Sequence, residues 1–376
     1  GTPREPTPLN ATLPRTTNCI LDGIARGLHY GAQLYVSLGR QPVACLALGQ
    51  ARPGQALTVD HHLGWLSSGK PVTAAALMIL VECGRADLDE PVADFIPEFA
   101  AEGKGSITLR HLLTHTAGLR NAEGASAAPS WDQIIARICR ARPEKDWVPG
   151  KRAGYHYTVS WFILAEVIQR LSGQPYNTFI RQHFFEPLGC PEVGCQLSAE
   201  QWETMSDRLA PMHVVGPTGL QPHPTLDSRN EALKCKPGSG MRGPVMALGR
   251  FYEMLLNEGR WEDRQLLDPR SVSQMTRRQR HGMVDETFKF PLDWGLGFII
   301  NDPQGHGDHM PYGFGRYASP ETFGHGGLQS SSGFADPRHR LAVGIIFNGQ
   351  PGEAAHQQRI REVTAALYED LGLTDR

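Results

Sequence analysis

The amino-acid sequence predicts an α+β protein in which an antiparallel sheet, flanked by helices, is assembled from both ends of the chain. Two observations predict it. Strand-type stretches occur early, at residues 33–38 and 43–48, and return in the last third, at 294–300, 331–336 and 341–348. Between them, residues 67–235 read as mostly helical, with connecting loops rich in Gly, Pro and Ala. The expected division is an extended arm over 1–15, a discontinuous sheet-bearing domain over 16–66 and 236–376, and a mainly helical domain over 67–235.

Each element has its own signal. Four prolines in residues 1–15 argue for an extended arm, and 18–26 reads as a helix. The turn Gly39-Arg40-Gln41-Pro42 between two apolar runs is a hairpin signal. Residues 68–83 are apolar nearly all round, which predicts a buried helix stopped at Gly84. Further helices are expected over 109–114, 131–141, 158–171 and 176–185. Gly238-Ser239-Gly240-Met241 reads as a tight loop before a helix over 244–257, which Gly259 stops. Residues 294–300 read as one strand. Those at 331–336 and 341–348 are joined by the turn Pro337-Arg338-His339, and a last helix spans about 355–371. No internal repeat or low-complexity tract is present.

Bulk properties narrow the function. The chain has 376 residues, a net charge of −2 and 20% charged residues. No concentrated basic face is legible, so neither nucleic acid nor an anionic membrane is an expected partner. The one basic run, Arg277, Arg278 and Arg280, reads as a solvated helix end. The longest apolar stretch, 71–81, falls short of the ~18–20 residues that span a bilayer. The seven cysteines are odd in number, irregularly spaced and without C-x-x-C. They read as free, largely buried thiols in a reducing compartment, with Cys190–Cys195 pairing as the weaker alternative. No leader segment is legible in the chain, which begins at Gly1, and the expected location is cytoplasmic.

The chemistry concentrates at Ser67-Ser68-Gly69-Lys70, an S-x-x-K tetrad at the head of the buried helix. Helical spacing brings Ser67 and Lys70 onto one face. A hydroxyl becomes nucleophilic when a base takes its proton, and a lysine is that base when burial favours its neutral form. Of seven lysines, Lys70 alone has a serine three residues before it. A second element is Tyr155-His156-Tyr157-Thr158-Val159, just before a helix. A tyrosine aimed at the serine would relay its proton. Tyr157 is the expected relay, with Tyr155 beside it as the alternative. A third is Gly324-His325-Gly326-Gly327-Leu328, where glycines admit a ligand close to the backbone and a strand N–H would join that of Ser67 as an oxyanion hole. Other chemistries fit less well. His61-His62 and His306-x-x-His309 do not form H-E-x-x-H, and no G-x-S-x-G occurs. No metal and no cofactor are expected.

Taken together, S-x-x-K near 67, the tyrosine near 157 and H-G-G near 325 resemble the serine β-lactamase and DD-peptidase superfamily, and most closely its class C branch with the related carboxylesterases and transesterases. The resemblance extends over roughly 16–370, including Asp87-Leu88-Asp89-Glu90-Pro91-Val92 and Leu112-Leu113-Thr114-His115-Thr116-Ala117-Gly118-Leu119. It implies a β-lactamase-like fold, with the site in a cleft between the sheet and an all-helical domain. It implies that Ser67 is acylated, with Lys70 and Tyr157 as base and relay, and that the Ser67 and Leu328 N–H groups form the oxyanion hole. His325, Gly326, Gly327, Val159 and Tyr155 would contact substrate.

Two departures from the antibiotic-degrading pattern stand out. Y-x-N reads Tyr157-Thr158-Val159, without a carboxamide, and K-T-G reads His325-Gly326-Gly327, without a permanent cation. Both point to a carboxylesterase acting on a small-molecule ester or acyl donor. An acyltransferase of secondary metabolism using the same acyl-serine, a β-lactamase or DD-peptidase, and a non-catalytic binding module of this fold are the alternatives.

Overall fold

Period-2 alternation in the early and late strands builds one eight-stranded antiparallel sheet. The computed structural model describes residues 12–305 and 307–375. The strands of this sheet are β1 (Gly31–Leu38), β2 (Gln41–Arg52), β3 (Gln55–Ala56), β4 (Asp293–Trp294), β5 (Ile299–Ile300), β6 (Phe323–Gly327), β7 (Ser331–Asp336) and β8 (Leu341–Phe347). The order across the sheet is β4-β5-β6-β7-β8-β1-β2-β3. The pairing of β1 with β8, Ala32 opposite Phe347 through Leu38 opposite Leu341, fastens the two ends of the chain together.

Alternate residues of these strands face two cores. Leu34, Val36, Val343, Ile345 and Phe347 pack beneath two helices, α1 (Pro14–Ala25) and α6 (Glu353–Asp370). Tyr35, Ala342 and Ile346 belong to the other core, which includes α5 (Val245–Leu256), α2 (Lys70–Glu82) and α4 (Val159–Ser172). Helix α2 is apolar all round because it is surrounded, with Val72, Ala74, Leu77 and Met78 at 0% exposure. Each large apolar side chain so buried contributes about 1.5–3 kcal/mol. Helix α3 (Trp131–Arg140) carries only one apolar stripe, Ile134, Ile135, Ile138 and Cys139, and shows its other face to solvent.

Several expectations need correction. Most of the arm, residues 1–11, lies outside the described residues, and its expected end at 15 falls inside α1, which starts with Pro14 in a position where a missing N–H costs nothing. The strand expected over 294–300 is a tight hairpin, with Asp293 opposite Ile300 and Trp294 opposite Ile299. Gly297 turns the chain there at a φ of 81°, a conformation most side chains resist. The 176–185 helix loosens after Ile180 into a wider turn over Arg181–Phe185. The basic run is a solvated helix end only at Arg277, exposed just after the helix Pro269–Thr276: Arg280 is 3% exposed, donates to the Thr114 carbonyl at 2.9 Å and pairs with Asp285 at 3.1 Å. Arg278 pairs with Asp293 at 2.7 Å.

All seven cysteines are free thiols, and Cys195 neighbours Cys235 at 3.4 Å rather than Cys190. Among the described residues, no helix is long and apolar enough to cross a membrane, and no group of three or more His, Cys, Asp or Glu is placed to hold a metal ion. His306 of the H-x-x-H pair lies outside the described residues.

Candidate active site

The chain enters α2 through a short 3-10 turn, Leu66–Gly69, that presents Ser67. Leu66 takes a φ of 52°, which costs a side-chain-bearing residue of order 1–3 kcal/mol and turns the backbone sharply just before the serine. What holds the turn is the sheet. The Ser68 hydroxyl meets the Ser331 hydroxyl at 2.9 Å and the His325 carbonyl at 3.2 Å, and Ser331 donates to the Trp65 carbonyl at 2.8 Å. β6 can approach this closely because residue 327 is glycine. A Cβ there would stand 2.2 Å from the Ser331 oxygen and 2.4 Å from the Trp65 carbonyl.

Three polar atoms converge at Ser67. Lys70 Nζ lies 2.9 Å from Ser67 Oγ and donates to the Gly238 carbonyl at 2.7 Å. Lys70 is 1% exposed, and burial pushes its pKa down to about 7, with Glu123 opposing that shift by its charge. Tyr155 Oη donates to Ser67 Oγ at 3.0 Å. Burial raises the Tyr155 pKa well above the usual phenol range, so the hydroxyl keeps its proton as a donor.

The tyrosine at the serine is therefore Tyr155, not the expected Tyr157. Tyr157 is 51% exposed and stands edge-on to the Tyr155 ring at 5.1 Å, as a wall of the cleft. Residue-by-residue geometry explains the shift. The Tyr155 N–H donates to Asp285 Oδ1 at 3.1 Å, and Asp285 also takes the Thr287 and Phe288 N–H groups, at 3.0 and 3.1 Å, and Arg280. Asp285 thus anchors the Tyr155 backbone from a distant loop. The helix begins only at Val159, whose side chain is fully buried in the core and does not line the cleft. With Tyr155 at the serine, the position two residues on is Tyr157, and the absence of a carboxamide is a property of Tyr157.

His325 lies on β6 at 2% exposure and meets the Gly326 carbonyl through Nδ1 at 2.8 Å. A carbonyl only accepts, so Nδ1 carries the hydrogen. Burial first, and Lys70 second, push its pKa down to about 3, so this group is uncharged at neutral pH. Leu328 follows β6 at the cleft edge, and Ser67, Gly326 and Leu328 border a cleft of about 200 Å³.

Several residues at the site were not legible as such. Gly238 and Ser239 read only as a tight loop, yet one receives Lys70 and the other lines the cleft. Glu123 accepts from the Thr158 N–H at 2.8 Å and also from its hydroxyl, fixing the segment beside Tyr157. Phe288, Tyr312 and Glu353 complete the walls. No local motif marks any of them.

A sheet built from both chain ends, a helix opening on S-x-x-K and a tyrosine on the same hydroxyl define a class of serine acyl-transfer folds. Residues 18–368 match the Beta-lactamase family, and the chain belongs to it. Its relatives include the esterase/β-lactamase LipL of Mycobacterium tuberculosis, 26% identical over 85% of this chain and 77% of that protein. Another is the esterase EstB of Burkholderia gladioli, 26% identical over 80% of this chain and 81% of that protein. Among solved structures, a family VIII carboxylesterase superposes with a TM-score of 0.80 at 25% identity, covering 96% of this chain and 98% of that one.

Proposed function

We propose that the protein is a carboxylesterase-type serine hydrolase acting through an acyl-enzyme on Ser67. The convergence of Lys70 Nζ at 2.9 Å and Tyr155 Oη at 3.0 Å on Ser67 Oγ carries the reading. In the neutral state, Lys70 donates to the Gly238 carbonyl and turns its lone pair to the serine. The Ser67 hydroxyl proton passes to Lys70 as Oγ attacks the ester carbonyl. The backbone N–H groups of Ser67 and Leu328 receive the developing oxyanion. The leaving alkoxide takes the Tyr155 hydroxyl proton, which the Lys70 ammonium restores. Water then enters by the reverse route and releases the acid.

The esterase relatives and the family VIII carboxylesterase likeness support hydrolysis of esters. A neutral His325 and the aromatic Tyr157 disfavour substrates held by a carboxylate, as β-lactams and D-Ala-D-Ala peptides are. One observation favours a second reading, acyl transfer. A larger cavity of about 730 Å³ shares Thr158 and Ser239 with the catalytic cleft and would hold an acceptor alcohol next to that cleft. We place the cleft between a sheet body (16–66 and 236–376) and a helical body (67–235), and the protein in the cytoplasm, in keeping with its seven free thiols.

The test is steady-state turnover of p-nitrophenyl butyrate and of nitrocefin by wild type and Ser67→Ala. Ester hydrolysis that drops at least about 10⁴-fold in the variant, with nitrocefin slower than ester, is the expected result. Faster nitrocefin hydrolysis would make the protein a β-lactamase. No turnover of any ester would leave only a binding module.

A further inference from the structure

The cleft beside Ser67 has an aromatic wall. Four aromatic rings line it: Tyr155, Tyr157, Phe288 and Tyr312. Neighbouring rings lie 5.1 Å (Tyr155–Tyr157), 5.0 Å (Tyr155–Phe288) and 6.3 Å (Phe288–Tyr312) apart. Their planes meet at 87°, 47° and 62°, so they stand as the sides of a box rather than as one stack. The charged side chains lining it are Lys70, whose proton burial disfavours, and the exposed carboxylate of Glu353 at the rim.

One side of the box is tethered. Both Glu353 oxygens accept from Tyr312 Oη at 2.9 Å, and that hydroxyl also accepts from the Gln329 N–H at 3.1 Å. Tyr312 sits at a φ of 55°, a strained backbone for an aromatic residue. Its ring lies directly on β6, since a Cβ on Gly326 would come within 2.4 Å of it. The strain and the tethers fix one ring and one carboxylate at the mouth of the catalytic cleft.

Aromatic faces carry negative potential and attract desolvated cations, and a carboxylate at the rim draws cations in and turns anions away. We infer that this cleft recognises esters bearing an ammonium group, primary or quaternary, seated among Tyr157, Phe288 and Tyr312 with Glu353 at its edge. The inference rests on the acyl-serine reading of Ser67 and names the substrate class for it.

Matched p-nitrophenyl esters test it: one ending in trimethylammonium, its uncharged tert-butyl isostere, and one ending in carboxylate. For wild type, kcat/KM should favour the ammonium ester over the isostere by about fivefold or more, with the carboxylate ester poorest. In Glu353→Gln, which retains a partner for Tyr312, the ammonium-to-isostere ratio should fall at least about threefold. Calorimetric binding of the same two esters to Ser67→Ala reads recognition without acylation. A fivefold preference there stands whether or not the wild type turns over, which separates this inference from the catalytic reading. Equal binding of the two esters, or a ratio unmoved in Glu353→Gln, would overturn it.

Discussion

A lysine at 1% exposure cannot hold its proton as a solvated one does. Burial brings Lys70 to about 7, from an ordinary 10.5, and Glu123 pulls the other way. The catalytic sign follows: the base is the neutral form, so acylation should rise with pH along a limb centred near 7. Glu123→Gln keeps an acceptor for Thr158 but removes the opposing charge, so the limb should move to lower pH, read from kcat/KM profiles. The stability sign is separate. The folded pKa lies below the unfolded one, so the penalty is full below about 7 and relieved as pH rises toward 10.5. Lys70→Met should therefore raise Tm at pH 6 while abolishing turnover, a trade of activity for stability seen by calorimetry. The two tyrosines separate in the same assays. Tyr155→Phe should cost about 10²–10⁴-fold in kcat, and Tyr157→Phe less than about tenfold.

Between elements, the critical contact is β6 against the turn that opens α2. Gly327→Ala would force a methyl group to within 2.2 Å of Ser331 and 2.4 Å of the Trp65 carbonyl. A cost of about 1–3 kcal/mol is expected, read as a lowered denaturation midpoint, with activity falling because the serine turn shifts. The elements that the sequence analysis placed well carry their signals locally. Helix α2 is apolar on every side, and the β1–β2 hairpin turns on two residues between apolar runs. Those it misplaced depend on remote packing. The 294–300 stretch has strand composition throughout, yet it folds at Gly297, whose Cβ would meet Ala74 of α2 at 2.7 Å. Arg280 reads as solvated beside Arg277 and Arg278 until Asp285 and the Thr114 carbonyl close over it.

Across the whole molecule, the site joins residues from the head of α2, the segment before α4, the loop after 235, strand β6 and the start of α6. Ser67 and Lys70 were legible because the chemistry needs them one helical turn apart. Tyr155 and Tyr157 were legible as a pair but not in order, because the choice between them is made by Asp285, 130 residues away. Glu123, Tyr312 and Glu353 had no signal at all, since only the folded chain brings them to one cleft. In the proposed chemistry, Ser67 is the nucleophile that carries the acyl group. Peptide mapping by mass spectrometry after reaction with a fluorophosphonate tests it most directly. A single adduct on Ser67, slowed in Tyr155→Phe and Lys70→Ala and absent in Ser67→Ala, is the predicted result. An adduct on Ser239 or elsewhere, or ester turnover that survives in Ser67→Ala, would contradict it.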